Sequence, residues 1–203
     1  RGLQADRVPT VDAPRPFHHA TPEELAGVTH VLCDIDDTLT NHGKLSPHAY
    51  SALWDLHDAG LSVVPITGRP AGWCDLIVRQ WPVRAVVGEN GAFVFELAGG
   101  TVRSTYHPSV DRNTAGRLAA LQDRVLAQVP GIRLAKDQPY RMFDVAFDFA
   151  EDEPRLPLSV AETVRDICIA GGAEARISSI HVNAWFGAYS KADMSRRFLE
   201  ETV

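Results

Sequence analysis

Between residues 28 and 91 short apolar runs alternate with amphipathic stretches. Residues 28–35 form an apolar run of strand length. Ser46-Pro47 then opens a stretch in which Ala49, Leu53 and Leu56 share one helical face before Gly60 closes it. Residues 61–66 read as a second buried-type strand. Trp73, Leu76, Ile77 and Gln80 recur at helical spacing over 71–81, and residues 84–87 supply a third strand. Strand, helix, strand, helix, strand predicts a parallel sheet with right-handed crossovers.

The pattern changes after Gly91. Residues 92–97 and 101–106 flank Gly99-Gly100, a hairpin signal that belongs to antiparallel pairing. A helix is expected from about Asp111 until Pro130-Gly131, with Leu118, Leu121 and Val125 in register. Residues 142–149 alternate, placing Phe143, Val145, Phe147 and Phe149 on one face and Asp144, Ala146 and Asp148 on the other, as a strand buried on one side would. Ser159 and Glu162 suggest a capped helix through Ala170, and residues 175–185 a further strand. Ser190-Lys191-Ala192-Asp193 matches a capping box ahead of an apolar stripe of Met194, Phe198 and Leu199. Near the start, residues 1–20 hold Pro9, Pro14 and Pro16 with little periodicity and read as an extended arm. Thr21-Pro22-Glu23-Glu24 then caps a short helix. The expected organisation is thus an arm (1–20), an α/β unit (21–91 and 187–203) and an α+β insertion (92–186).

Composition narrows the functional classes. With 203 residues, 23% charged and 45% hydrophobic, the chain has globular values. A net charge of −6, with no basic cluster longer than two, argues against a nucleic-acid footprint and favours a small partner. No apolar stretch reaches transmembrane length. Cys33, Cys74 and Cys168 show no metal-ligand spacing, and Cys33 and Cys168 read as buried reduced thiols, so a cytoplasmic setting is expected. Trp54, Trp73 and Trp81 read as core residues of helices, and the histidines other than His181 as surface residues.

Candidate chemistry gathers at strand ends, where open α/β sheets bind ligands. DIDDTLT (34–40) places Asp34 and Asp36 on one side of an extended backbone, where they repel unless a proton or a cation intervenes. Mg²⁺ answers this economically, because it takes carboxylate and backbone oxygens and tolerates few protein ligands. The second strand ends in Ile66-Thr67-Gly68-Arg69, where Thr67 offers a hydroxyl or a helix cap. Lys191 falls in a first helical turn, where the macrodipole prefers anions, and so invites an anion nearby. A helix N-terminus, a lysine, a threonine and a carboxylate together would suit a phosphate.

DIDDTLT, VVPITGRP, GENGAF and SKADM, in that order and at these separations, resemble the first three motifs of the haloacid dehalogenase superfamily of phosphohydrolases. The likeness spans roughly residues 28–203. GENGA followed by a mixed insertion resembles the class IIB cap of Cof-type and sucrose-phosphatase-like members. The resemblance implies a Rossmann-like parallel sheet core with an inserted α+β cap. It also implies a Mg²⁺-dependent phosphatase for a small phosphorylated metabolite, with a sugar phosphate preferred.

By this resemblance Asp34 is the nucleophile, Asp36 the acid and base, and Thr67 and Lys191 hold the phosphoryl group. Asp34 and the backbone carbonyl of Asp36 bind Mg²⁺, and Asp37 is a spectator. Thr38, Gly68, Arg69, Asn90, Arg141, His181 and Asn183 are the candidate substrate contacts. Among them, His181 and Asn183 share a strand face opposite Val182 and Ala184, and Arg69 is also a candidate for pairing with an acidic neighbour. The family's fourth motif, an acidic loop after one more strand, is not in the sequence, so either an incomplete carboxyl end or weak metal binding is expected. A phosphosugar mutase and a phosphate-binding regulatory module without turnover are the alternatives.

Overall fold

The computed structural model describes residues 16–202. Most of the expected arm, residues 1–15, lies outside them, and Phe17–His19 form a single 3-10 turn. Helix α1 (Pro22–Leu25) carries the expected capping box, Thr21 and Glu24 each bonding the other's backbone N–H.

Five strands build the first sheet: β1 (His30–Asp34), β4 (Ser62–Ile66), β5 (Ala85–Gly88), β6 (Phe93–Ala98) and β7 (Thr101–Tyr106), in that spatial order. β1, β4 and β5 are parallel, with Asp34 opposite Ile66 and Ile66 opposite Val87, so three carboxyl ends lie side by side. A small ribbon, β2 (Thr40–Asn41) with β3 (Lys44–Leu45), follows β1. Helices α2 (Pro47–Asp58) and α3 (Ala71–Gln80) make the crossovers. α2 is capped by Ser46 with Pro47 in its first turn, as expected. On one face of the sheet Ala71, Cys74, Ile77 and Val78 of α3 bury against Val86, Phe93 and Phe95. On the other, Met194 and Phe198 of α6 (Lys191–Thr202) cover Val64, Ala85, Val87 and Val94.

The β6–β7 hairpin, which the sequence pattern groups with the insertion, pairs antiparallel with β5 and continues this first sheet. Its strands follow β5 after a single turn, so the ladder already begun is their nearest partner.

A second, antiparallel sheet runs β10 (Glu174–Ile177), β11 (His181–Trp185), β9 (Asp144–Asp148), β8 (Arg133–Leu134). Helices α4 (Ala115–Gln128) and α5 (Leu158–Ala170) cover one face, where Val125, Val164 and Cys168 meet Val145, Phe147, Val182 and Ala184. The expected one-sided burial of β9 is not what forms: Asp144 and Asp148 on its other face are also buried, Asp144 beside Asn90 at the end of β5 and Asp148 beneath Arg133 and the backbone of residues 151 and 152. Nor does Ser159 cap α5; Pro157 stands at that position without a side-chain bond.

Several surface expectations also change. Trp54 and Trp73 are exposed by 44% and 41%, Trp54 lying edge-on to His57, so neither is a core residue. Cys33 is half-buried, whereas Cys74 and Cys168 are buried. His107 is buried, held between Ser109 and Asp193, because the chain leaves β7 there and passes under α6.

Candidate functional site

β1 delivers Asp34 to the sheet edge, and its Oδ1 accepts from the next backbone N–H, Ile35, at 2.7 Å. The chain then turns sharply, with Asp37 in the left-handed region at φ 57°. In register beside it, β4 ends in Thr67, Gly68 and Arg69, and β5 ends in Glu89 and Asn90. α6 opens with Lys191, its first turn capped by Ser190 Oγ accepting from Asp193 N. Lys191 Nζ donates to Asp34 Oδ2 at 2.5 Å. This approach needs Gly91: at φ +103° a β-carbon would be strained and would overlap the Ser190 carbonyl, so a glycine lets the start of α6 come against the end of β5.

Between the strand ends and the second sheet lies a cavity of 590 Å³. Asp34, Asp36, Gly68, Arg69, Asn90 and Lys191 line it from below. Arg141, His181 and Asn183 line it from above, and the β10–β11 hairpin adds Glu174, Arg176, Ser178 and Ser179. Two of the sequence candidates stay off this wall. Thr67 is fully buried behind it, its Oγ1 accepting from Arg69 N at 2.9 Å, while Thr38 is exposed on the turn after Asp37.

Most polar groups facing the cavity are already paired. Arg69 grips both oxygens of Asp36, through Nε at 3.0 Å and Nη2 at 2.8 Å, and also reaches Glu151 Oε1 at 3.1 Å. Its guanidinium lies 4.5 Å from the Trp73 ring centroid. Arg141, expected to meet substrate, has a side chain with no exposed surface. It donates to Asp137, to Asp144 and to the Gly68 carbonyl, joining the second sheet to the β4 end. Asn90 and Asn183 both donate to Asp144 Oδ2, at 3.2 and 3.0 Å. His181 Nε2 meets Glu151 Oε2 at 2.8 Å, and with Arg69 beyond it this bond holds the Glu151 carboxyl down at a pKa of about 2.

Sequence reasoning gave Glu89 no role. It is completely buried, yet accepts from three backbone N–H groups, those of Ala71 at the start of α3 and of Met142 and Phe143 leading into β9. Burial, reinforced by the nearby Asp144 charge, pushes its carboxyl up to about 8, against the pull of those donors. The signal available was a lone glutamate directly behind an all-apolar strand, where a charge is retained only with partners.

Residues 31–118 match the haloacid dehalogenase-like hydrolase family. Among solved structures, a protein of Thermoplasma acidophilum is similar at 18% identity and a TM-score of 0.66, covering 86% of this chain and 72% of that one. A sugar phosphatase described as HAD subclass IIB is similar at 14% identity and a TM-score of 0.55, covering 86% of this chain and 76% of that one. This is the haloacid dehalogenase-like fold. The sucrose-phosphatase of Synechocystis shares it at 13% identity and a TM-score of 0.56, covering 85% of this chain and 70% of that one. No curated protein sequence matches the chain. In the terms of this haloacid dehalogenase-like fold, the first, mixed sheet belongs to the Rossmann-like core and the second, antiparallel sheet, with α4 and α5, to the inserted cap. No helix of the described residues is long and apolar enough to cross a membrane.

Proposed function

We propose that the chain is a phosphatase for a small phosphorylated metabolite, acting through an aspartyl-phosphate on Asp34. The observation that carries this reading is the Lys191–Asp34 contact at the floor of the cavity, which sets a cation and a carboxylate side by side beside a helix N-terminus. An Asp34 oxygen attacks phosphorus as the bond to the leaving oxygen breaks, and the Asp36 carboxyl gives that oxygen its proton. Water then attacks the aspartyl-phosphate, Asp36 takes the proton, and phosphate leaves. Lys191 offsets the anionic charge throughout. Thr67 supports the loop by holding the Arg69 N–H, and the Gly68 backbone lies open to the phosphoryl group.

Mg²⁺ fits the residues present as an ion with few protein ligands. No group of three or more His, Cys, Asp or Glu among the described residues suits a metal, and the Asp36 carboxylate is taken by Arg69. What remains is Asp34 and the Asp36 carbonyl, a set suited to Mg²⁺ that completes its shell with water and substrate oxygens. When bound it neutralises phosphoryl charge.

For the leaving group we favour a sugar or similar polyol. Glu174, Arg176, Ser178 and Ser179 give the roof acceptors and donors that suit hydroxyl groups, and the solved phosphatases of similar fold include enzymes named for sugars. The clamp of Arg69 on Asp36 favours a second reading, a phosphate-binding module without turnover. Hydrolysis of para-nitrophenyl phosphate with and without Mg²⁺, in wild type and Asp34→Asn, separates the two. Metal-dependent turnover that vanishes in the variant is expected, and turnover that persists in Asp34→Asn overturns the mechanism.

A further inference from the structure

Arg69 is one guanidinium shared among three carboxylates. From the core side Asp36 takes Nε and Nη2, while from the cap side Nη1 reaches Glu151 Oε1 at 3.1 Å and Asp137 Oδ2 at 3.7 Å. Asp137 is already occupied by Arg141, at 3.1 Å. Glu151 is therefore the cap carboxylate most free to hold Arg69.

Glu151 is itself fixed from two directions. Its second oxygen meets His181 Nε2 at 2.8 Å, and its backbone N–H donates to Asp148 Oδ1 at 2.8 Å. An incidental surface glutamate would keep its rotamer freedom, whereas this one is held by β9 and β11 together. A continuous series, His181, Glu151, Arg69, Asp36, thus leads from the cap sheet to the group that serves the leaving oxygen.

We propose that Glu151 is a positioning residue for the acid–base step, anchoring Arg69 on the cap so that the Asp36 carboxyl is free to turn toward the leaving oxygen when substrate is seated. The inference rests on the phosphatase reading above. Without the Glu151 charge, Arg69 has Asp36 as its one close carboxylate that no other arginine shares, and it stays clamped there. The nucleophile and Lys191 are untouched.

Two aryl phosphates isolate this role, because para-nitrophenolate leaves readily without a proton and phenolate does not. In Glu151→Gln, with Mg²⁺ present, the ratio of kcat/KM for para-nitrophenyl phosphate over phenyl phosphate is expected to widen by about tenfold or more, with the nitrophenyl ester nearly unaffected. Glu151→Asp, which keeps the charge, is expected to bring the ratio back toward wild type. The Glu151 side chain is 33% exposed, so both variants are expected to fold, which thermal unfolding checks. An unchanged ratio, an equal loss on both esters, or a Glu151→Asp ratio as wide as that of Glu151→Gln overturns the inference and leaves the phosphatase reading standing. A wild type that hydrolyses neither ester overturns both.

Discussion

Lys191 Nζ and Asp34 Oδ2 lie 2.5 Å apart although 157 residues separate them in the chain. Both side chains keep about two-fifths of their surface in water, at 36% and 43% exposure, so the pair adds little to stability. In the proposed reaction its value lies in charge placement. Replacing Lys191 by Met is expected to lower kcat/KM for para-nitrophenyl phosphate by about 100-fold or more. The same change should move the urea unfolding free energy by less than about 1 kcal/mol. Steady-state kinetics and urea titration together check this.

Glu89 makes stability depend on pH. Its carboxyl rises from 4.5 to about 8 on folding, so its contribution is complete below about pH 4.5 and is lost as pH climbs through about 8. Melting temperature is expected to fall from about pH 5 to about pH 8.5 in the wild type. In Glu89→Gln that slope should flatten, and the variant should be less stable at the acid end by about 1–3 kcal/mol, because an amide cannot accept from all three backbone donors. Thermal melts across the pH range decide the matter.

Arg141 is predicted to be structural. Its completely buried side chain neutralises Asp144, itself buried, together with Asp137. Arg141→Met leaves those carboxylates without their cation and is expected to cost about 3–5 kcal/mol in urea unfolding. Had Arg141 been a surface residue awaiting substrate, the cost would be within about 0.5 kcal/mol.

The parallel core was legible because buried strands and amphipathic helices leave different periodicities, and Thr21, Ser46 and Ser190 marked three helix starts through side chains that cap them. The opposite faces of β11 were legible for the same reason: Val182 and Ala184 enter the cap core while His181 and Asn183 turn to the cavity. Partners were not legible. Periodicity gives the direction of a side chain and is silent on what waits there, so His107 read as a surface residue although Asp193 lies 86 positions away. Arg141 read as a substrate contact for the same reason, its acceptor at Gly68 being 73 positions distant. The hairpin at residues 93–106 was recognised as a hairpin, but nothing local to it said which sheet it would extend.

The grip of Glu89 on Met142 and Phe143 has a mechanical meaning. Phe143 and Trp185 share an apolar cluster with α3 and β6, so this margin of the cap is seamed to the core by both a carboxylate and grease. The opposite margin, at Ser178 and Ser179, is exposed, and the tie beside it runs through His181 to the partly exposed Glu151–Arg69 pair. Any widening of the mouth would therefore turn like a book cover about a spine near residue 143, where the cap is packed against the core. Substrates would enter on the Ser179 side, and the distance travelled by each roof residue would grow with its separation from that spine.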